Sequence, residues 1–93
     1  MTEFEWDEAK RQANRAKHRL DFLRARLLFD GRPVLAAEGV SDQELRFRTT
    51  GLIASKFCTV IWTLRGDRIR IISFRRARDE EKRQYRQLHG GGN

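Results

Sequence analysis

Apolar residues change their spacing several times along the chain, and each change marks an element. Phe4 and Trp6 flank Glu5 with a two-residue period, which suits a very short edge strand. Asp7 follows as a helix N-cap, and Ala9, Ala13 and Ala16 with Leu20 beyond them recur at helical spacing, which predicts a helix from Asp7 to about His18. Its stripe is narrow and made of small residues, so it permits close packing, while Lys10, Asn14, Lys17 and His18 fall on the neighbouring face. A second aspartate, Asp21, caps a helix over Asp21–Phe29 that gathers Phe22, Ala25, Leu28 and Phe29, and Gly31 with Pro33 ends it.

Beyond Pro33 the period shortens. Val34–Ala37 and Leu45–Ile53 read as strands, and Phe57–Leu64 is dense in aromatic and β-branched residues. The turn Arg65-Gly66-Asp67 joins it to a strand over Arg68–Phe74, making a central hairpin. From Ala77 to Leu88 strong helix formers dominate, with Asp79, Glu80 and Glu81 early and Lys82, Arg83 and Arg86 late, as the helix dipole favours. Short connections make an antiparallel sheet of three to four strands, with two N-terminal helices and one C-terminal helix, the simplest α+β arrangement. Residues 1–88 form one domain in this reading and 89–93 a disordered tail. Trp6, Phe22, Phe29, Phe47, Phe57 and Trp62 take apolar-face positions as core, with Trp62 at the centre.

Composition narrows the class. With 39% hydrophobic and 35% charged residues the 93-residue chain is a charged globular protein with room for one core. No apolar run approaches the roughly 20 residues that cross a bilayer, and the acidic opening lacks a signal-peptide layout, so the cytoplasm is the expected address, with no membrane partner. The single cysteine and two histidines lack zinc-ligand spacing, so neither a metal nor any other cofactor is expected. Cys58 itself lies in the apolar run FCTVIW and reads as inert core. The net charge of +7 is uneven: residues 65–86 carry nine bases against four acids. Such a surface attracts phosphodiester backbones, acidic proteins or anionic lipid without choosing among them.

The motifs choose further. Phe4-x-Trp6-Asp7-x-x-Lys10-x-x-x-Asn14-x-x-Lys17-His18 is followed by Phe22-x-x-Ala25-x-x-Leu28-Phe29-Asp30, Glu44-x-Arg46-Phe47, Thr50-Gly51 and Arg68-Ile69-Arg70-Ile71-Ile72-Ser73-x-Arg75-Arg76-Ala77. Their ordered sum, over nearly residues 3–86, resembles the BrnT toxin family. The resemblance implies a RelE-like fold, a metal-independent endoribonuclease that inhibits translation, and a cognate BrnA-like antitoxin that neutralises it in a hetero-oligomer. The chain departs from the family pattern at Arg19, where glycine is usual, and at Phe74, where a small residue is usual. A non-glycine residue in a left-handed cap costs about 1 kcal/mol or more, so a remodelled connection is expected at Arg19.

Metal-free RNA cleavage needs proton transfer for attack by the ribose 2′-hydroxyl, and stabilisation of the charge that gathers on the phosphate. Arginine serves the second need through its permanently charged, two-pronged guanidinium. Arg46, Arg75 and Arg76 are the catalytic arginine candidates and Arg70 an RNA-binding one, set against the plain alternative of solvated surface charge. Strand alternation puts Arg70 and Arg75 on opposite faces unless a bulge intervenes. Arg75 and Arg76 stand where the strand hands over to the last helix, able to project toward an open sheet surface. His18 is a candidate acid or base, or simply a helix C-terminal cap meeting the dipole. Lys10 and Lys17 share its helix face and either position phosphate or are solvated. Tyr85 either stacks a base or anchors the last helix to the sheet. Glu44 is a base or a partner of Arg46. A noncatalytic basic module that docks on nucleic acid or protein is the competing function.

Overall fold

The computed structural model describes residues 2–90 and orders them as β1 (Glu3–Glu5), α1 (Glu8–His18), α2 (Phe22–Ala25), β2 (Val34–Ser41), β3 (Glu44–Ile53), β4 (Lys56–Arg65), β5 (Arg68–Arg76) and α3 (Asp79–His89). The α+β class and the placing of its helices agree with the sequence reading. The sheet corrects it: five strands in the order β1-β5-β4-β3-β2 form a mixed sheet rather than an antiparallel one of three or four. β1 adds in parallel to β5, pairing Phe4 with Ile69. Three residues are too few to show which way a strand runs. What seats β1 is side-chain contact, with Phe4 edge-on to Phe29 at 5.4 Å and Glu5 bonded to Arg70 at 2.8 Å. β2 runs past the expected end at Ala37 because Asp42 and Gln43, at φ 52° and 62°, form a two-residue turn that lets Ser41 pair with Glu44.

Both aspartate caps act as read. Asp7 accepts from the Lys10 amide at 3.1 Å, and Asp21 from that of Leu23 at 3.0 Å. The second helix is shorter than Asp21–Phe29, for after Ala25 the chain tightens into a 3₁₀ turn over Arg26–Phe29. That turn lowers Leu28 onto Gly51, where a Cβ would stand 2.8 Å from Leu28 Cδ2, so only glycine allows the approach. At Arg19 the connection is not remodelled: Arg19 keeps the left-handed cap at φ 58°, ψ 30°, with its N–H bonded to Arg15 O at 2.9 Å. Arg19→Gly therefore stabilises the fold by about 0.5–1 kcal/mol, raising Tm by a few degrees in a thermal melt. An unchanged or lower Tm overturns the strain argument.

The core also differs in its centre. Phe22 and Phe74 have no exposed surface and pack with Ala25, Leu28, Val60 and Ile71. Trp62 lies at the margin instead, stacked on Phe47 at 4.5 Å, because its indole N–H must reach a partner and finds Thr49 Oγ1 at 2.9 Å. α1 and α2 cover this face of the sheet. α3 crosses the other, where Tyr85 packs edge-on to Phe57 at 5.2 Å and Glu81 accepts from Thr59 Oγ1 at 3.0 Å. His89, assigned to the tail by the sequence, is instead the last residue of α3, and its Nε2 donates to Val34 O at 2.9 Å. Residues 91–93 of that tail lie outside the described residues. No helix among the described residues is long and apolar enough to cross a membrane.

A bulge in β5 decides which arginines meet. Ile61 pairs with Ser73 and Trp62 with Ile71, leaving Ile72 as an extra residue. Across it the alternation reverses, so Arg70 and Arg75 both fall on the α3 face. Arg76, paired with Cys58, falls on the α1 face, so the neighbouring arginines diverge.

Candidate active site

Where β5 ends, three segments converge: the α1–α2 junction, α2 itself, and the turn between β3 and β4. They enclose a cleft of about 440 Å³ lined by His18, Arg19, Leu20, Arg24, Ile53, Ala54, Lys56, Cys58, Phe74 and Arg76. Its floor is apolar core; its rim is four cations and one histidine. Asn14, buried within α1, joins the two walls. Its amide nitrogen donates to Leu20 O at 3.0 Å and Phe74 O at 2.7 Å, while its Oδ1 accepts from Phe74 N at 3.1 Å. Asn14 thus pairs with the β5 backbone much as a neighbouring strand would, and fixes His18, one turn further along α1, against the end of β5.

Charge balance separates this cleft from the rest of the basic surface. Among the described residues, neither Arg19, Arg24, Lys56 nor Arg76 pairs with a carboxylate. On the α3 face the arginines carried by the strands are compensated: Arg46 meets Glu44 at 3.2 Å, Arg70 meets Glu5 at 2.8 Å, and Arg68 meets Glu3 at 3.3 Å. A guanidinium already neutralised attracts an incoming phosphate less than a free one, so the uncompensated cleft carries the stronger pull. The Cys58 thiol at its floor is pushed up by burial against the opposing influence of Arg76, Arg24 and Lys56, and is not a nucleophile at neutral pH.

His18 is the titrating group of the cleft. Burial first, then the charges of Lys17 and Arg75, hold its pKa below the ordinary 6.5, so the ring is neutral at pH 7 and able to accept a proton. It also borders a second, shallower depression with Lys10, Lys17 and Ser73, so cations continue from the cleft along α1.

The sequence candidates therefore divide. His18 and Arg76 share the cleft, and Lys10 and Lys17 adjoin it. Arg46 and Arg70 lie across the sheet, on the α3 face. Arg75 is on that face too but is not free: its side chain is 13% exposed and both its Nη atoms bind the Glu81 carboxylate at 2.9 Å. Tyr85 is 6% exposed between Phe57 and His89, an anchor of α3 rather than an open stacking platform. Glu44 bridges Arg46 and Arg65. Arg24 and Lys56 escaped the sequence reading because nothing in their spacing joins them to His18; the one hint was that Arg19 and Phe74, where the chain departs from the pattern it otherwise follows, both line this cleft. Among the described residues no group of three or more His, Cys, Asp or Glu is placed to hold a metal ion.

Compared with known protein families, residues 6–81 match the family described as ribonuclease toxin, BrnT, of type II toxin–antitoxin system. Comparison with curated proteins gave no match.

Proposed function

The chain belongs to the BrnT family of ribonuclease toxins of type II toxin–antitoxin systems, and on that premise we propose that it cleaves RNA in the cleft between His18 and Arg76. The observation that carries this placing is that four uncompensated cations line one cleft together with a neutral histidine. Arg76, Arg24, Arg19 and Lys56 hold the phosphate, and their charge stabilises the extra negative charge of the transition state. His18 takes the 2′-hydroxyl proton as the 2′ oxygen bonds to phosphorus; the bond to the 5′ oxygen breaks, and that oxygen takes a proton from solvent. The products are a 2′,3′-cyclic phosphate and a 5′-hydroxyl, and no step requires a metal. Lys10 and Lys17 steady the strand beyond the cleft. Arg46, Arg70 and Arg75, on the far side of the sheet, do not touch the reacting phosphate.

A type II toxin has a cognate antitoxin as its partner. Its chemistry follows from the net charge of +7: an acidic, BrnA-like protein neutralises the toxin in a hetero-oligomer.

The test is cleavage of a defined single-stranded RNA with and without chelator, with the fragment ends mapped. The wild type cuts in both conditions and leaves cyclic phosphate ends. Lys56→Ala with Arg76→Ala lowers the rate by about 100-fold or more, the scale for losing groups that stabilise a transition-state charge. Its Tm stays near that of the wild type, since neither side chain has an ion pair to lose. Undiminished cutting moves the site elsewhere, and salt-sensitive RNA binding without cutting favours the noncatalytic module.

A further inference from the structure

The two edges of the sheet are treated differently. On one side β5 is covered by β1 as far as Arg70 and, further along, by the Asn14 amide bonded to Phe74. On the other, no strand among the described residues pairs with β2. There His89 reaches Val34 O at 2.9 Å, so Val34 turns its backbone groups outward. Outward and inward residues alternate in an antiparallel ladder, so Ala36, Glu38 and Val40 also present N–H and C=O to the open side.

Open edges invite pairing, and proteins usually guard them with bulges, proline or lysine. β2 has none of these over eight consecutive pairs with β3. An apolar strip continues from this edge on the α1 and α2 face, over the part that those helices do not reach: Val40 is 75% exposed beside its cross-strand partner Leu45 at 47%, and Leu64 on β4 is 51% exposed. The opposite face is basic. There β2 presents Leu35, Ala37, Gly39 and Ser41, and at mid-strand the small Ala37 and Gly39 pair with Arg48 and Arg46. Over that stretch these arginines, each already near a carboxylate (Glu81 at 3.4 Å and Glu44 at 3.2 Å), are the first large side chains met from the edge.

We propose that β2 is the docking edge for an extended segment of the cognate antitoxin, which adds to the sheet as a sixth strand. The segment alternates apolar residues, facing Val40 and Leu45, with Asp or Glu that take up the guanidinium N–H groups of Arg46 and Arg48 left open by Glu44 and Glu81. A second copy of this chain fits the edge less well, because it brings another net +7 and sets the same arginines against each other. The proposal rests on the family's need for an antitoxin, not on where RNA is cut.

The test is amide hydrogen exchange on the toxin alone and on the toxin co-expressed and purified with its cognate antitoxin. Ala36, Glu38 and Val40 become strongly protected in the complex. If they exchange as fast there as in the free toxin, or if the free toxin is itself a dimer protected at these amides, the proposal is overturned. Glu38→Pro deletes one outward N–H and leaves the β2–β3 ladder in place; Val40→Lys charges a side chain that is already largely in water. Each weakens antitoxin binding by about 10- to 100-fold, the scale for leaving buried backbone or charge without a partner, with RNA cleavage unchanged. Unaltered affinity in Val40→Lys overturns the proposal even if Glu38→Pro fails to fold. Because cleavage is read separately, failure here is distinguishable from failure of the cleft assignment.

Discussion

His18→Gln slows RNA cleavage by about 10²- to 10⁴-fold, the range that a positioned acid or base contributes, and leaves the fold intact by circular dichroism. The pH profile makes the test specific. His18 is held below 6.5 by burial, then by Lys17 and Arg75. Wild-type kcat/KM therefore rises with pH through an inflection below 6.5 and is level at pH 7, as expected of a base that must be neutral. The glutamine variant lacks that inflection. Stability carries the same sign: with a folded pKa below the unfolded one, the unfolded chain binds more protons, so His18 costs stability as pH falls below 6.5. A histidine serving as a helix cap would behave oppositely, since the dipole at a helix C-terminus favours the protonated ring and raises its pKa. A variant with an unchanged rate but a lower Tm at acid pH assigns His18 to capping and removes it from the site.

What could be read from the sequence, and what could not, follows from how each feature is encoded. Asp7 and Asp21 announce helices because a cap is a local event, settled within three residues. β3, β4 and β5 were legible because β-branched and aromatic residues fill them. The direction of β1 is set by contacts with Phe29, Arg68 and Arg70, far along the chain, and no period within three residues carries that information. The cleft is harder still. His18, Arg24, Lys56 and Arg76 come from four separate segments, and only the pairing of β4 with β5 and the bond from Asn14 to Phe74 bring them around one space. The bulge at Ile72 is the sharpest case: one unpaired residue moves Arg75 to the far face and leaves Arg76 alone at the cleft. Asn14 stood within a motif that carries the family resemblance, but nothing in its spacing shows that it matches a strand's hydrogen bonds.

Glu81→Gln destabilises the protein by about 3–5 kcal/mol, the cost of breaking a buried ion pair. This lowers Tm by roughly 15 °C or more in a domain of this size. Its carboxylate is 7% exposed and receives both Nη atoms of Arg75 at 2.9 Å, the Arg78 amide at 2.8 Å and Thr59 Oγ1 at 3.0 Å, with Thr50 behind Thr59 at 2.7 Å. Burial alone would raise its pKa, but the bonds from Arg75, Arg78 and Thr59 outweigh it and hold Glu81 at about 2, against an ordinary 4.5. A depressed carboxylate stabilises fully above the unfolded value, and its contribution fades as pH falls from 4.5 toward 2. Wild-type urea midpoints therefore decline across that window, while those of Glu81→Gln are lower at pH 7 and flatter below 4.5. Much of the loss at pH 7 comes from Arg75 left charged and unpaired, so Arg75→Met combined with Glu81→Leu costs less than either change alone. The same pair explains why alanine at Arg75 is a poor probe of catalysis: Arg75 Nη1 also donates to Arg76 O at 3.2 Å, so removing it loosens the strand end that carries a cleft cation. Lost activity in Arg75→Ala would follow from that loosening alone, with no contact between Arg75 and RNA required. Wild-type stability in Glu81→Gln would show instead that the pair contributes little and that Arg75 is free to act.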